Sequence, residues 1–360
     1  MPIQRFQSHK FKVFIILIRG GLGNQMFGYA FFLELKKKYP NAVFLFKIAN
    51  DVNQHQGLEL FNIFNIKGKW RYVFCKPSFL WPLFHQTKQT DALVYDEAMF
   101  NTQYRLNYYE GFWQSELYFS NAINDVRRSF RFKSNIFNKE TLSISKQIGS
   151  CNSISIHIRR GDYLNFSNCA VCDLDYYNRA IAYIQKHIID AVFFVFSDDI
   201  SWCQENIKIN NAQYINFNNG KDSWQDMYLM SICKHNIIAN STFSWWGAWL
   251  NDNKQKIVIA PREWFLNIGK TDIIPDKWIV IWQLYPFRIG LDWNGWIIWK
   301  CLECSSLYMG TSTLDCIFHR RFPLFLFRCF SFYLVTCVPN HTESGNCLDI
   351  WNPQLHYILY

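Results

Sequence analysis

Apolar strands alternating with helices predict a doubly wound α/β fold for this chain. Three observations carry the prediction. KVFIILI, 12–18, is an unbroken apolar run, as expected of a strand buried on both faces of a parallel sheet, and a glycine turn and a helix follow it. From residue 151 onward, strand-like and helix-like stretches take turns with short connections between them. The chain has 360 residues, 50% of them hydrophobic and 18% charged, enough apolar material for two such units.

After 12–18, glycines 20, 21 and 23 make a turn, and a helix runs to about Tyr39. Lys36, Lys37 and Lys38 suit its last turn, where the helix dipole favours cations, and Pro40 stops it. VFLF, 43–46, is the next strand and completes a βαβ unit. Residues 50–130, aromatic and punctuated by KPS, WP and EGFWQSE, read only as short helices and loops. The polar stretch 132–150 reads as a domain boundary. Then come strand ISIHIR (154–159), helix 175–188, strand AVFFVFS (191–197), a short helix WCQENI and strand QYINF (213–217). Helix 223–234, strand NIIA (236–239), helix FSWWGAWLN (243–251) and strand KIVIAP (256–261) complete the alternation. The expected organisation is a domain over 1–145, a second over 150–282, and a Cys- and aromatic-rich extension over 283–360.

The formal net charge is +9. Residues 1–282 hold 32 Lys+Arg against 23 Asp+Glu and the extension holds 5 against 5, so the excess lies wholly in the first part. That suits an anionic ligand or a membrane surface. A nucleic-acid partner is disfavoured, because the basic residues form no arm or stripe. VFIILI, 13–18, is too short for a signal sequence and no cleavage site follows. The apolar segment 322–338 carries Arg328 in its middle, which costs about 2.5–3.5 kcal/mol in a bilayer and argues for a buried or interfacial segment. The expectation is a cytoplasmic protein, in peripheral contact with the inner face of the membrane. Twelve cysteines divide six and six at residue 282, and those of the first part are scattered like reduced, buried thiols.

Three strands of the second half end in clusters able to hold an anion. The first presents His157, Arg159, Arg160 and Asp162, the second Ser197, Asp198 and Asp199, and a later one Asn240, Ser241, Thr242 and Ser244. Ligands of open α/β sheets bind outside the carboxyl ends of the strands, so the clusters can converge on one crevice. Two arginines give forked, permanently charged donors for phosphate. The hydroxyls and free N–H groups at the start of helix 243–251 make an anion site, and Asp198 and Asp199 suit a ribose or a base edge. The match is a nucleoside diphosphate, held without a metal. Plainer readings stand beside this one: Ser197, Asp199 and Ser241 as helix caps, Arg160–Asp162 as a local ion pair, His157 as a core histidine, and Trp245–Trp246 as packing.

Gly21-Leu22-Gly23-Asn24-Gln25 has the wrong glycine spacing for a dinucleotide fingerprint and reads as a tight loop that lets backbone and Asn24 approach a ligand. Asp173-Leu174-Asp175 precedes a helix and reads as capping rather than as a metal motif. Cys301, Cys304, Cys316 and His319 have zinc-compatible spacing, an alternative that the sequence leaves open.

GGLGNQMFGYA, HIRRGDY, FSDDISWC and CKHNIIANSTFSWWGAWLN, with IAPREWF and IIPDKW after them, resemble the ordered motifs of the bacterial α-1,2-fucosyltransferases, glycosyltransferase family 11, over residues 11–282. The resemblance implies a GT-B-like architecture of two Rossmann-type domains, the first on the acceptor side and the second binding GDP-fucose. It implies inverting, metal-independent transfer of L-fucose to the 2-OH of a terminal galactose on a surface glycan or lipid-linked oligosaccharide, with no cofactor. Arg159 and Arg160 would hold the diphosphate, His157 would shape that pocket, Asp198 and Asp199 would meet guanosine, and Asn240, Ser241 and Thr242 the phosphates. Asn24 would face the reaction centre from the first domain. The motifs do not assign the base. Asp162 is the first candidate, although the adjoining arginines depress its pKa and weaken it. Two departures stand out: Gly28, where a glutamine is commoner, and the unmatched extension 283–360. A different donor sugar or nucleotide, and a binding protein without turnover, remain alternatives.

Overall fold

The computed structural model describes residues 11–66, 81–165, 172–265, 271–281, 287–291, 297–301 and 307–310. The chain divides into two compact units, Met1–Gln283 and Leu284–Tyr360. In the first unit the chain runs β1 (Val13–Ile18), α1 (Leu22–Lys38), β2 (Val43–Ile48), α2 (Leu60–Ile63), β3 (His85–Lys88), β4 (Leu106–Glu110) and α3 (Ile123–Ser129). It continues with α4 (Lys139–Ser150), β5 (Asn152–Ile158), α5 (Leu174–His187), β6 (Ala191–Ser197), α6 (Ile200–Asn206) and β7 (Ala212–Ile215). Last come α7 (Trp224–Ile232), β8 (His235–Ile237), α8 (Thr242–Leu250), β9 (Val258–Pro261) and β10 (Ile279–Ile281).

Two parallel sheets result, one of order β2-β1-β4-β3 and one of order β10-β9-β8-β5-β6-β7. Numbered from its own first strand, the second sheet reads 3-2-1-4-5-6, the Rossmann order, whose direction reverses between β5 and β8. The first sheet reverses between β1 and β4. Two Rossmann-type halves make this a GT-B-like fold, as expected.

Several predicted elements change. β3 and β4 lie inside 50–130, where only short helices and loops were expected. HQTK is polar because it forms a sheet edge, and LNYYE is short but central, its middle three residues buried. The expected boundary 132–150 contains helix α4, capped by the Asn138 side chain, which accepts from Thr141 N at 2.7 Å. β5 ends at Ile158, so Arg159 and Arg160 begin the loop rather than end the strand. Within the second unit, β11 (Phe287–Leu291), β12 (Ile297–Cys301) and β13 (Leu307–Gly310) form an antiparallel sheet.

Alternation in β5 sets its two faces. Ile154, Ile156 and Ile158 pack with Tyr176, Tyr177 and Ile184 of α5, while His157 lies under Phe243 of α8, ring centroids 5.8 Å apart. The main core joins the halves. Phe27 of α1 lies 4.7 Å from the Trp245 ring and 4.8 Å from the Trp246 ring, and Phe119 stacks on Trp246 at 5.6 Å. The tryptophan pair is therefore packing, as its plainer reading held. Each indole N–H is satisfied: Trp245 donates to Ile273 O and Trp246 to Gly23 O.

Candidate active site

The site forms where the two reversal points come together. From the C-terminal half, the loop after β5 brings Arg159 and Arg160, the loop after β6 brings Asp198 and Asp199, and the turn after β8 brings Asn240, Ser241 and Thr242. Arg159 Nη1 lies 3.1 Å from Asp198 Oδ2, and Arg160 Nε lies 3.4 Å from Asp199 Oδ2. The Arg160 backbone N–H donates to Asp198 Oδ1 at 3.0 Å. The close approach requires Gly161, since a methyl there would lie 2.5 Å from Asp198 Oδ2. The Arg160 guanidinium lies over the Trp202 ring at 3.9 Å, and that of Arg159 lies 5.5 Å from the centre of the Tyr163 ring.

Capping accounts for part of this polarity. Asp199 accepts from Trp202 N and caps α6, Ser197 Oγ accepts from Asp199 N, and Ser241 Oγ accepts from Phe243 N at the start of α8. Asn240 is buried, donating to Trp264 O and accepting from the Cys172 thiol, and its carbonyl accepts from Tyr163 OH. His157 is buried, and its Nδ1 has no hydrogen-bond partner among the described residues. Burial first, and the Arg159 charge second, push its pKa down to about 3, so the ring is neutral at ordinary pH. Asp162 opens a short 3-10 turn, Asp162–Asn165, and its side chain lies outside the described residues. Asp173 caps α5 by accepting from Tyr176 N, and Asp175 pairs with Arg179 at 2.9 Å, so both carboxylates of that D-x-D have local structural partners. Cys301 closes β12, while Cys304, Cys316 and His319 lie outside the described residues.

The N-terminal half supplies Gly20 and Gly21 at the turn after β1, but Gly23, Asn24 and Gln25, expected in a loop, already lie in the first turn of α1, which begins at Leu22. A methyl on Gly23 would lie 2.7 Å from both the carbonyl carbon and Oγ1 of Thr242, so the start of α1 touches the start of α8. Gln25 is buried and braces the turn. Its amide donates to Gly20 O and Gly57 O, and its carbonyl accepts from Glu59 N. The His55 ring rests against Gly21, within 3.5 Å of a methyl built there. Asn24 Oδ1 accepts from Gln114 Nε2 at 2.7 Å. Beside this region a cavity of about 380 Å3 is lined by Gln56, Glu59, Asn62, Ile63 and Ile136 together with Lys221, Asp222 and Trp224. Burial raises the Glu59 pKa to about 7.

Residues 2–281 match the model described as Glycosyl transferase family 11. The chain belongs to this family. As a family 11 protein it is a glycosyltransferase, and relatives align over most of its length. An alpha-1,2-colitosyltransferase of Escherichia coli is 33% identical over 290 residues, covering 75% of this chain and 99% of that protein. The Escherichia coli O-antigen biosynthesis glycosyltransferase WbnK is 34% identical over 300 residues, covering 73% and 98%. A Bos taurus galactoside alpha-(1,2)-fucosyltransferase 2 is 31% identical over 140 residues, covering 36% and 40%.

This family 11 glycosyltransferase brings Arg159, Arg160, Ser197, Asp198 and Asp199 into one cluster, while Thr242 meets Gly23 and the neighbouring Asn24 pairs with Gln114. The sequence reading missed Gln114, Trp202, Tyr163 and Gly161. Only the glycine had a signal, its place directly after two arginines. The others owe their roles to contacts between distant segments.

Proposed function

We propose that the protein is a galactoside 2-α-L-fucosyltransferase, transferring L-fucose from GDP-fucose with inversion, and without a metal, to the 2-OH of a terminal galactose on a surface glycan or lipid-linked oligosaccharide. One observation carries the reading: the paired arginines after β5 and the start of α8 after β8 flank the reversal point of the second sheet, and Gly23 at the start of α1 abuts that start of α8. Donor chemistry belongs on the second sheet and the acceptor on the first. The family, and the α-1,2 linkage named for its relatives, support the regiochemistry.

Each arginine has a carboxylate partner, so donor binding works as an exchange. The diphosphate takes Arg159 and Arg160, which release Asp198 and Asp199 to accept from the guanine N–H groups or ribose hydroxyls. Ser241, Thr242 and the free N–H groups of α8 add donors to the phosphate oxygens, and the buried Asn240 fixes the turn that carries them. As the C1–O bond breaks, negative charge grows on the departing GDP, and the guanidinium pair stabilises it more than the ground state. His157, neutral and packed under Phe243, adds shape without adding a charge to repel the arginines. We assign the proton of the galactose 2-OH to Asp162, which adjoins the pair. The positive excess of the first 282 residues suits peripheral contact with an anionic membrane face at the cytoplasmic side. Among the described residues no helix is long and apolar enough to cross a membrane.

The test is turnover of GDP-fucose with lactose in EDTA, with the linkage of the product determined. An α-1,2 product supports donor, regiochemistry and metal independence together. No binding of GDP defeats the arginine assignment. A colitosyl donor is the second reading, favoured by the 33% identity to the colitosyltransferase. Competition between the two sugar nucleotides separates them.

A further inference from the structure

Trp113 has φ +56°, a strained conformation that bulky side chains rarely adopt. Its surroundings hold it there. The indole is fully buried and stacks on Phe31 at 4.0 Å with 5° between the planes. Gln89 Oε1 accepts from both Phe112 N and Trp113 N, each at 2.9 Å. The next residue is Gln114, 6% exposed, whose Nε2 donates to Asn24 Oδ1. Gln114 follows β4 and Asn24 follows β1, so they meet at the reversal point of the first sheet. One residue before Asn24, Gly23 touches Thr242 of the second half.

In this arrangement Gln114 is the donor and Asn24 the acceptor, while Gln114 Oε1 is buried with no partner among the described residues. The Asn24 carbonyl oxygen is taken by Gln114, which leaves Nδ2 as the group Asn24 can offer. Nδ2 makes no hydrogen bond among the described residues, and it lies where a methyl on Gly20, at φ +66°, would stand 2.8 Å away. A glycine there clears the space that this amide orientation needs. We propose that Gln114 is a positioning residue: held by the strained Trp113 turn, it orients the Asn24 amide so that its NH2 donates to an oxygen of the reacting sugars. The assignment rests on the proposed function for the identity of those sugars, not for the geometry of the amide pair.

Three variants test it. Gln114→Met keeps volume but removes the donor, and the Asn24 amide is then free to turn. Gln114→Glu replaces the donor by an acceptor that captures Nδ2–H and turns the Asn24 carbonyl outward. The expected order is wild type above Gln114→Met above Gln114→Glu, with kcat falling about 10-fold and about 100-fold, as one buried hydrogen bond is lost and then reversed. The KM for GDP-fucose stays within a factor of two. In an Asn24→Ala background, Gln114→Met has no further effect, since the residue it positions is gone. Additive losses, or a Gln114→Glu enzyme as fast as Gln114→Met, overturn the proposal. Exchange of the Asn24 side-chain NH2, followed by 15N NMR, needs no activity and so separates this proposal from failure of the proposed function. Slower exchange in Gln114→Glu than in wild type supports the assignment, and unchanged exchange overturns it.

Discussion

Three contacts fix Arg160 against the β6–α6 loop: its backbone N–H donates to Asp198, its Nε faces Asp199, and its guanidinium plane covers Trp202. Stacking holds the plane fixed, so under the proposed exchange its N–H groups keep one direction while phosphate replaces the carboxylate. A lysine keeps the charge but neither the plane nor the fork. Arg160→Ala is expected to lower kcat/KM about 10²–10³-fold, the range for removing a donor to developing negative charge, with Arg160→Lys in between. Circular dichroism should show both folded, and full turnover by the alanine variant would remove the diphosphate assignment. The arginines were legible in the sequence because strict alternation ends on them. Their pairing with Asp198 and Asp199 was not, since it depends on the β5–β6 register, which places Ile158 beside Ser197 and so sets the two following loops side by side. Gln114 was less legible still, because a positive φ at Trp113 leaves no mark on residue type.

Among the elements, α1 and α8 matter most to the site, since they start at the two reversal points and touch there. Gly23 is the contact, and the absence of a side chain lets the helix ends meet. Gly23→Ala is expected to separate them by a few tenths of an ångström or more, because the obstruction is the Thr242 backbone, not a movable side-chain tip. Overpacking of this kind costs about 1–3 kcal/mol, so thermal denaturation should show a lower midpoint, and turnover should fall with it. An unchanged midpoint would mean that the helix ends adapt freely. The long elements were readable because each has one dominant signal: isoleucines in β5, aromatic residues in β6, an Asp173 cap on α5. Helix α4 was hidden because only Thr141 and Ile148 are buried on it, so its pattern looks like a linker. β4 was hidden because five residues are too few to establish a period.

For the whole molecule, the unit Met1–Gln283 contains both parallel sheets and every residue of the proposed donor and acceptor sites, so the proposed chemistry needs nothing outside it. A chain truncated after Gln283 is expected to stay soluble and to keep its transfer rate within about two-fold, compared with the full-length protein under the same assay. A truncated product that precipitates would show that Leu284–Tyr360 completes the fold. The doubly wound plan was legible from the alternation of elements, because a parallel sheet needs a crossover between neighbouring strands and the sequence has to spell each one out. How the halves join was legible only as a pair of tryptophans suited to packing.

That join also governs how the molecule can move. The Trp246 indole reaches from α8 to Gly23 O at 2.9 Å, inside a cluster of buried rings that includes Phe27 and Phe119. Sliding one sheet past the other would break that bond and shear the stacked rings. The far end of α8 is gripped as well: Arg127 of α3 donates to Trp249 O and Leu250 O, and Trp249 Nε1 donates to Glu116. With both ends of one helix tied to the first half, any relative shift of the halves costs hydrogen bonds as well as packing.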